Sequence, residues 1–571
     1  MRQLYRRSGS LPAPARVWLF LALLFLNLAN PLSSALAKQH QESGLNPIQV
    51  ENQLPGTKDW QLSKPAPYDG KTFHSPQIEG YAWSTSAEAG EEVQFSVSTL
   101  APSFRVDVYR SGWYQGKGGR FITSIRTVPG HSYTFSSPDH QTGLVDANWP
   151  VAFTLTPDIN WVTGLYLVKL TSSRGYQSYI PLVIRSSRKS DFAFIHAVNT
   201  DEAYNTWGGT SLYDDLTQSL RWQRAFKVSF DRPFEQNVGA GQMLWWEYPM
   251  VRWLERNGYD VSYLSDVDIQ DNSDALQNYH ALLIVGHSEY WSEQMYNRVE
   301  AAMNNGVNLA VFAANTFYWQ VRYELHNSAV TALPERILVC YKDWTRDPLY
   351  GRDNQAVTVQ FRQFPLNKPE QEILGSMYAS YWPTNQGAFP WVVTDASSWV
   401  FTGTGLKDGD SLKGLVGYEY DRVFSDFPKP AGLTILSSSP VVDVNKLHDI
   451  ANATIYTAPS GAQVFNAATI EWSWGLDSYE SANPGLVNKA AQRITANILQ
   501  KFRIAGSKAQ ATAASDGLQT TLLIGLLSLF VALLASYLLF RLYRRYFNKK
   551  ATKSASFFQQ GRDAGEQRKF P

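Results

Sequence analysis

Hydrophobic positions along the chain change their period once, and the change separates two kinds of element. From Gln77 to Arg185 apolar and polar residues alternate, as they do in strands with one face against a core. The runs are Gly80–Thr85, Glu92–Ser98, Phe104–Arg110, Gly164–Thr171 and Tyr179–Ile184. Turn signals such as Ala89-Gly90-Glu91 fall between them at the spacing of a seven- or eight-strand β-sandwich. From Asp191 onward short continuous apolar runs alternate with helical periodicity. Phe192–Val198, Val261–Leu264, Ala281–Val285 and Asn308–Ala313 read as strands buried on both faces. Met250–Asn257 and Glu293–Asn304 read as helices between them. In the second helix Met295, Val299, Ala302 and Met303 recur at 3.6-residue spacing, and Gly306 follows where a left-handed terminal residue belongs. Residues 281–322 are therefore a βαβ unit, which implies a parallel sheet. Later β-rich runs, Ala356–Phe361, Gly414–Asp421, Thr454–Thr457 and Gln463–Phe465, read as an insertion before a last helix at Leu486–Arg503.

Two apolar stretches lie outside this pattern. Arg2, Arg6 and Arg7 precede the apolar run Val17–Leu28, and Ala35-Leu36-Ala37 supplies small residues for cleavage, the form of an export signal. Leu522–Phe540 carries no charge and is followed by Arg541, Arg544, Arg545, Lys549 and Lys550, the form of a membrane span with a cytoplasmic basic end. The predicted organisation is a signal peptide over 1–37, a linker over 38–65, a β-sandwich over 66–188 and an α/β domain over 189–505. A second linker over 506–517, a single transmembrane helix over 518–543 and a basic tail over 544–571 complete it. This predicts a single-pass protein of the cell membrane whose main domains face the extracytoplasmic side.

Charged residues make up 18% of the chain and hydrophobic ones 44%, so the bulk is globular. The net charge of +1 gives no electrostatic reason to expect nucleic acid. Cys340 is the single cysteine, so no intramolecular disulfide forms, and its strand-like surroundings mark it as a buried small hydrophobe.

In open α/β sheets ligands bind outside the carboxyl ends of the strands. Here those ends read Gly286-His287-Ser288-Glu289-Tyr290-Trp291 and Asn315-Thr316-Phe317-Tyr318-Trp319. Glu289 needs a cation, a metal or a proton if buried, with Arg322 as a structural ion-pair alternative. His287 beside it can move a proton, and Asn315 can donate to a developing oxyanion. The turn after the Asn308–Ala313 strand holds Asn315 rather than Cys or Ser, which argues against acyl-enzyme chemistry. Trp113, Trp291 and Trp319 could stack on sugars, but no carboxylate pair stands at glycosidase spacing.

Several motifs together resemble the family named for the large (β) subunit of N,N-dimethylformamidase, chiefly its C-terminal domain. They are Val108-Tyr109-Arg110-Ser111-Gly112-Trp113-Tyr114, Tyr204-Asn205-Thr206-Trp207-Gly208-Gly209, Tyr248-Pro249-Met250-Val251-Arg252-Trp253-Leu254 and Gly286–Ser292. Ala314-Asn315-Thr316, Val416-Gly417-Tyr418-Glu419 and Ile470-Glu471-Trp472-Ser473-Trp474-Gly475 complete the set, which spans residues 66–500. The resemblance implies a glutamine-amidotransferase-like α/β domain beside a β-sandwich, and a metal-dependent hydrolase acting on a non-peptide C–N bond. It also implies mononuclear iron (Fe3+) held by two tyrosines and one glutamate. By motif position the glutamate is Glu289 and one tyrosine is Tyr204. For the other, Tyr248 is the first choice and Tyr213 the second. The substrate expected is a small molecule or an envelope-derived compound, with the oligomeric state open. The alternative is a non-catalytic binding or assembly protein of the cell envelope that retains the fold.

Overall fold

In the computed structural model, which describes residues 44–277, 279–327, 332–383, 388–479, 484–504 and 528–546, the apolar runs after Asp191 pair into one seven-stranded sheet. Its strands are β1 (Phe192–His196), β2 (Val261–Ser265), β3 (Ala281–His287), β4 (Asn308–Ala314), β5 (Thr434–Ile435), β6 (Thr454–Thr457) and β7 (Gln463–Asn466). The order across the sheet is β2-β1-β3-β4-β7-β6-β5. From β2 to β7 neighbours run parallel, and β6 is antiparallel to both β7 and β5. Every residue of β1, β3 and β4 is buried, which is why these strands are apolar throughout instead of alternating. The order reverses at β1, which lies between β2 and β3, and this opens a crevice at the carboxyl ends of β1 and β3.

Three helices matter for the crevice: α1 (Val198–Tyr204), α2 (Tyr248–Arg256) and α3 (Glu293–Asn304). Ser292 caps α3 by accepting from the Met295 amide at 3.1 Å. The helix then buries Met295, Tyr296, Val299, Ala302 and Met303. Before α3, the short strand Tyr290–Ser292 pairs in parallel with Trp319–Val321, at the edge of a separate four-stranded sheet. That pairing ties the segment following β3 to the segment following β4.

Upstream, eight strands form a three-stranded and a five-stranded sheet between Glu79 and Ile184. They share an apolar core that includes Phe95, Val106, Val168, Ile180 and Leu182. The junction with α2 is polar and dry. Arg110 forms two hydrogen bonds to Glu255, Nη2 to Oε1 at 2.7 Å and Nη1 to Oε2 at 2.9 Å, and both side chains are fully buried. Asn52 and Tyr263 donate to the same carboxylate at 2.7 and 3.0 Å. Those extra donors offset the desolvation of the buried ions. A Cβ on Gly112 would come within 2.3 Å of the Glu255 carboxylate, so this turn must be glycine. Beside it the Trp113 ring packs under the guanidinium groups of Arg252 and Arg256 at 4.9 and 5.2 Å.

Four sequence expectations are corrected here. Thr454–Thr457 and Gln463–Asn466 belong to the central sheet rather than to an insertion. Ala356–Phe361 is not a strand and contributes one isolated bridge, from Gln360 to Trp319. Gly414–Asp421 breaks at Gly417, where a Cβ would lie 2.8 Å from the Glu471 carboxylate. The fourth correction concerns the membrane. The chain divides into a unit ending at Gly506 and a second unit from Ser507. In the second, residues 528–546 are helical, and no helix among the described residues is long and apolar enough to cross a membrane. The described part of that helix carries the uncharged stretch Ser528–Phe540. Arg541, Arg544 and Arg545 follow at once. The expectation of a single transmembrane helix over 518–543, and of a single-pass protein of the cell membrane, is overturned by this finding. The segments 1–37, 506–517 and 518–527 lie outside the described residues, as does the tail from 547.

Candidate metal and active site

The crevice at the ends of β1 and β3 gathers side chains from five separate stretches. Glu289 follows β3 by two residues, after Gly286, whose φ of +70° and closeness to Trp246 leave no space for a side chain. Its backbone is held at both ends. The Glu289 amide donates to Thr200 Oγ1 of α1 at 2.9 Å, and its carbonyl accepts from the Tyr318 and Trp319 amides at 3.0 and 3.1 Å. Tyr204 is the last residue of α1, the helix that leaves β1. Tyr213 comes from the loop beyond it, which is tied back to the helix by the Leu212 amide donating to the Ala203 carbonyl at 3.0 Å.

These three residues meet. Tyr204 donates to Glu289 Oε2 at 2.8 Å, Tyr213 donates to Glu289 Oε1 at 2.6 Å, and the two phenol oxygens are 3.1 Å apart. The rings lie against each other with centroids 4.4 Å apart, tilted by 32°. Tyr213 keeps 36% of its surface exposed, so the cluster opens to solvent on that side. Both phenols are held well above the ordinary tyrosine value, first by burial and then by the Glu289 charge. Tyr248, the first choice for the second tyrosine, lies elsewhere. Its hydroxyl donates to the Gly118 carbonyl at 2.6 Å, and its ring packs on Trp60 and Tyr479 at the junction with the sandwich.

The donor set fits a hard cation. Two oxygens each about 2.05 Å from one octahedral ion stand about 2.9 Å apart; here the phenol oxygens are 3.1 Å apart, and each lies 2.6 or 2.8 Å from a different oxygen of the Glu289 carboxylate. Carboxylate and phenol oxygens are the hard ligands such an ion prefers. Among the described residues no group of three or more His, Cys, Asp or Glu side chains is arranged to hold a metal. The candidate set reaches three donors only through its two phenols.

His287 lies between two carboxylates, with Nε2 3.1 Å from Glu419 Oε2 and 3.3 Å from Glu289 Oε2. Nδ1 faces Gln242 Oε1 at 3.1 Å. Burial disfavours the charged ring, but Glu419 and Glu289 outweigh it and raise its pKa to about 10. Glu289 is correspondingly held below the usual carboxylate range: burial opposes this, and His287 and Lys342 overcome it. Asn315, at the end of β4 with φ of +54°, donates its side-chain amide to Glu419 Oε2 at 2.8 Å and its backbone amide to Asp421 Oδ1 at 2.8 Å.

Residues 105–485, which contain every residue of this cluster, match the family described as N,N-dimethylformamidase beta subunit-like, C-terminal. The chain belongs to that family. It is similar to the N,N-dimethylformamidase beta subunits of Paracoccus aminophilus and an Alcaligenes species, at 23% identity over 335 and 333 residues. Those matches cover 52% of this chain and 42% of each relative.

In this dimethylformamidase-like domain two residues join the cluster that strand-end reasoning does not find. Glu419 arrives from a strand more than a hundred positions downstream. Its one sequence signal is the Val416–Glu419 motif. Lys342 is half-buried at φ of +56°, with its ammonium enclosed 3.2 Å from the Tyr213 ring centroid and without a hydrogen-bond partner among the described residues. Burial lowers its pKa to about 7, although Glu289 works the other way. Nothing in its local sequence marks it. Arg322 is not the partner of Glu289, since it pairs with Asp347 at 2.7 Å. Cys340 is buried, and burial pushes its thiol up to about 11, so it is no nucleophile. Trp291 and Trp319 are buried and offer no face to a sugar.

Proposed function

We propose that the cluster is the active site of a hydrolase acting on a non-peptide C–N amide bond. We further propose that Tyr204, Tyr213 and Glu289 hold one ferric ion. The convergence of two phenols on the two oxygens of one carboxylate, at 2.6 and 2.8 Å with the phenol oxygens 3.1 Å apart, carries the reading. The relatives named as N,N-dimethylformamidase subunits support the choice of bond. When bound, the ion would polarise the amide carbonyl and acidify a water. The chain's own groups handle the protons. Glu419 takes one from the attacking water, while the Asn315 amide keeps its carboxylate oriented. His287, kept protonated by both carboxylates, gives a proton to the departing amine nitrogen. Glu419 then returns its proton to His287 across 3.1 Å, so water plus amide becomes carboxylic acid plus amine and both groups are restored. The relatives' designation as beta subunits supports assembly with further chains.

The test is elemental analysis of the purified chain with its visible tyrosinate-to-iron absorption, alongside hydrolysis of a small N-substituted formamide. Wild type should carry about one iron and release amine, and Glu289→Gln should lose both. A protein that binds no iron under any loading condition and still hydrolyses the amide would overturn the assignment.

A further inference from the structure

Gln242 stands behind His287, on the side away from the two carboxylates. Its Oε1 lies 2.9 Å from Trp246 Nε1 and 3.1 Å from His287 Nδ1. The two ends of a glutamine amide have the same shape and opposite chemistry, so its partners fix which way it points. The indole N–H can only donate. It therefore requires the amide oxygen, and that same oxygen faces His287. Turning the amide over would set its NH2 against the Trp246 N–H, two donors with no acceptor between them. Gln242 and Trp246 are both buried, where such a mismatch is costly. With the oxygen so placed, Nδ1 of His287 is left one role, that of donor.

The oxygen is also held in position. Trp246 stacks on Trp474 at 5.1 Å and on Tyr418 at 6.0 Å, and its carbonyl accepts from Ser473 Oγ at 2.6 Å. Gln242 starts the turn Met243–Trp246, its own carbonyl accepting from the Trp245 and Trp246 amides at 2.9 and 3.2 Å. Before it comes Gly241, at φ of +63°, where a Cβ would lie 2.2 Å from the Asp201 carboxylate. Only glycine lets the chain pass that close. Across the imidazole ring, Nε2 lies between Glu419 and Glu289.

We infer that Gln242, oriented by Trp246, is a positioning residue that holds a proton on His287 Nδ1 and confines proton transfer to Nε2. This rests on the amide-hydrolase reading, in which His287 gives a proton to the departing amine and regains one from Glu419. With Nδ1 held as a donor, the neutral ring left after that gift carries its lone pair at Nε2, where Glu419 can return the proton. Without the acceptor the ring is free to turn or to exchange tautomers, and its lone pair is then aimed away from Glu419.

Two variants separate the acceptor from the filler. Gln242→Met keeps the length of the side chain and removes the oxygen, while Gln242→Glu keeps an acceptor for both neighbours. On the iron-loaded full chain with a small N-substituted formamide, Gln242→Met should lower kcat about 100-fold, the scale of a displaced general acid. Its KM should stay within about threefold, as for a group that acts on the chemical step, and its iron content should not change. Gln242→Glu should stay within about tenfold of wild type in kcat. A second readout needs no turnover: nitrogen-15 NMR of the metal-free chain labelled at histidine, with His287 assigned by its loss in His287→Gln. Wild type should show a protonated Nδ1 whose signal moves in Gln242→Met. Equal kcat in the Met and Glu variants, an unprotonated Nδ1 in wild type, or an Nδ1 signal indifferent to Gln242→Met overturns the inference. The NMR result as stated, in a chain that hydrolyses no amide, would sink the hydrolase reading and leave the hold on Nδ1 standing.

Discussion

Two tyrosine-to-phenylalanine exchanges separate the rival assignments of the second tyrosine, because each removes one hydroxyl and leaves the ring's packing in place. In Tyr213→Phe the ring stays against Tyr204 at 4.4 Å and beneath Lys342 at 3.2 Å. What is lost is an O–H to carboxylate hydrogen bond of 2.6 Å, worth about 1.5–3 kcal/mol to the metal-free fold. The larger effect falls on the metal. Changes in groups that only support a ligand cost 10–100-fold in affinity, so deleting a ligand should cost at least about 100-fold, or about 2.7 kcal/mol. In Tyr248→Phe the lost hydroxyl donates to the Gly118 carbonyl at 2.6 Å. That neutral bond is worth about 1 kcal/mol and should leave iron untouched. The assay is a ferric titration of metal-free protein against a competing chelator, read by the tyrosinate absorption. Unchanged iron affinity in Tyr213→Phe, or weakened affinity in Tyr248→Phe, would refute the site built from Tyr204, Tyr213 and Glu289.

Other outcomes follow from the rest of the molecule. Arg110→Met leaves the Glu255 carboxylate buried without its cation and should cost about 3–5 kcal/mol in urea unfolding; Arg110→Met combined with Glu255→Leu should recover much of that. Cys340, with its thiol at about 11, has about a thousandth of its population as thiolate at pH 8. Iodoacetamide should therefore label it only after denaturation, and rapid labelling of the folded chain would contradict its burial. His196 is raised to about 9, where burial opposes the shift and Glu247 overcomes it, and burial raises its neighbour Asp201 to about 8. Both groups bind protons more tightly in the folded than in the unfolded chain. The His196 contribution is full below about pH 6.5 and is lost as pH rises through 9. Stability should therefore fall across that window, and the fall should be shallower in His196→Gln, as judged from urea midpoints at several pH values.

The path from pattern to site is uneven for a physical reason. That Glu289 and Asn315 stand at the ends of neighbouring strands is legible in residues 281–322, because strand and helix periods are set by local backbone geometry and a βαβ crossover places its strands in parallel. Which of Tyr213 and Tyr248 lies against Glu289 is not legible, since both belong to family motifs or lie near them and the folding back of the loop onto Ala203 sets that contact. Thr454–Thr457 and Gln463–Asn466 read as an insertion because sequence separation says nothing about which sheet edge a strand joins. Their place is settled by Gln463–Asn466 pairing with Leu309–Val311 of β4 and by Thr454–Thr457 pairing with Gln463–Asn466 in turn.

The membrane reading fails for a related reason. A hydropathy run shows that a stretch is apolar, but crossing a bilayer requires a helix both long and apolar enough, and no helix among the described residues meets that requirement. By itself the sequence determined what is periodic or local: the strands, the crossover helix, the buried Cys340, and the polar residues at two strand ends. Only the tertiary structure decided which tyrosine meets Glu289, that Glu419 and Lys342 join it, and that Gln242 stands behind His287. These are contacts between stretches far apart in the chain, and such contacts depend on how buried surfaces fit together, which no local pattern encodes.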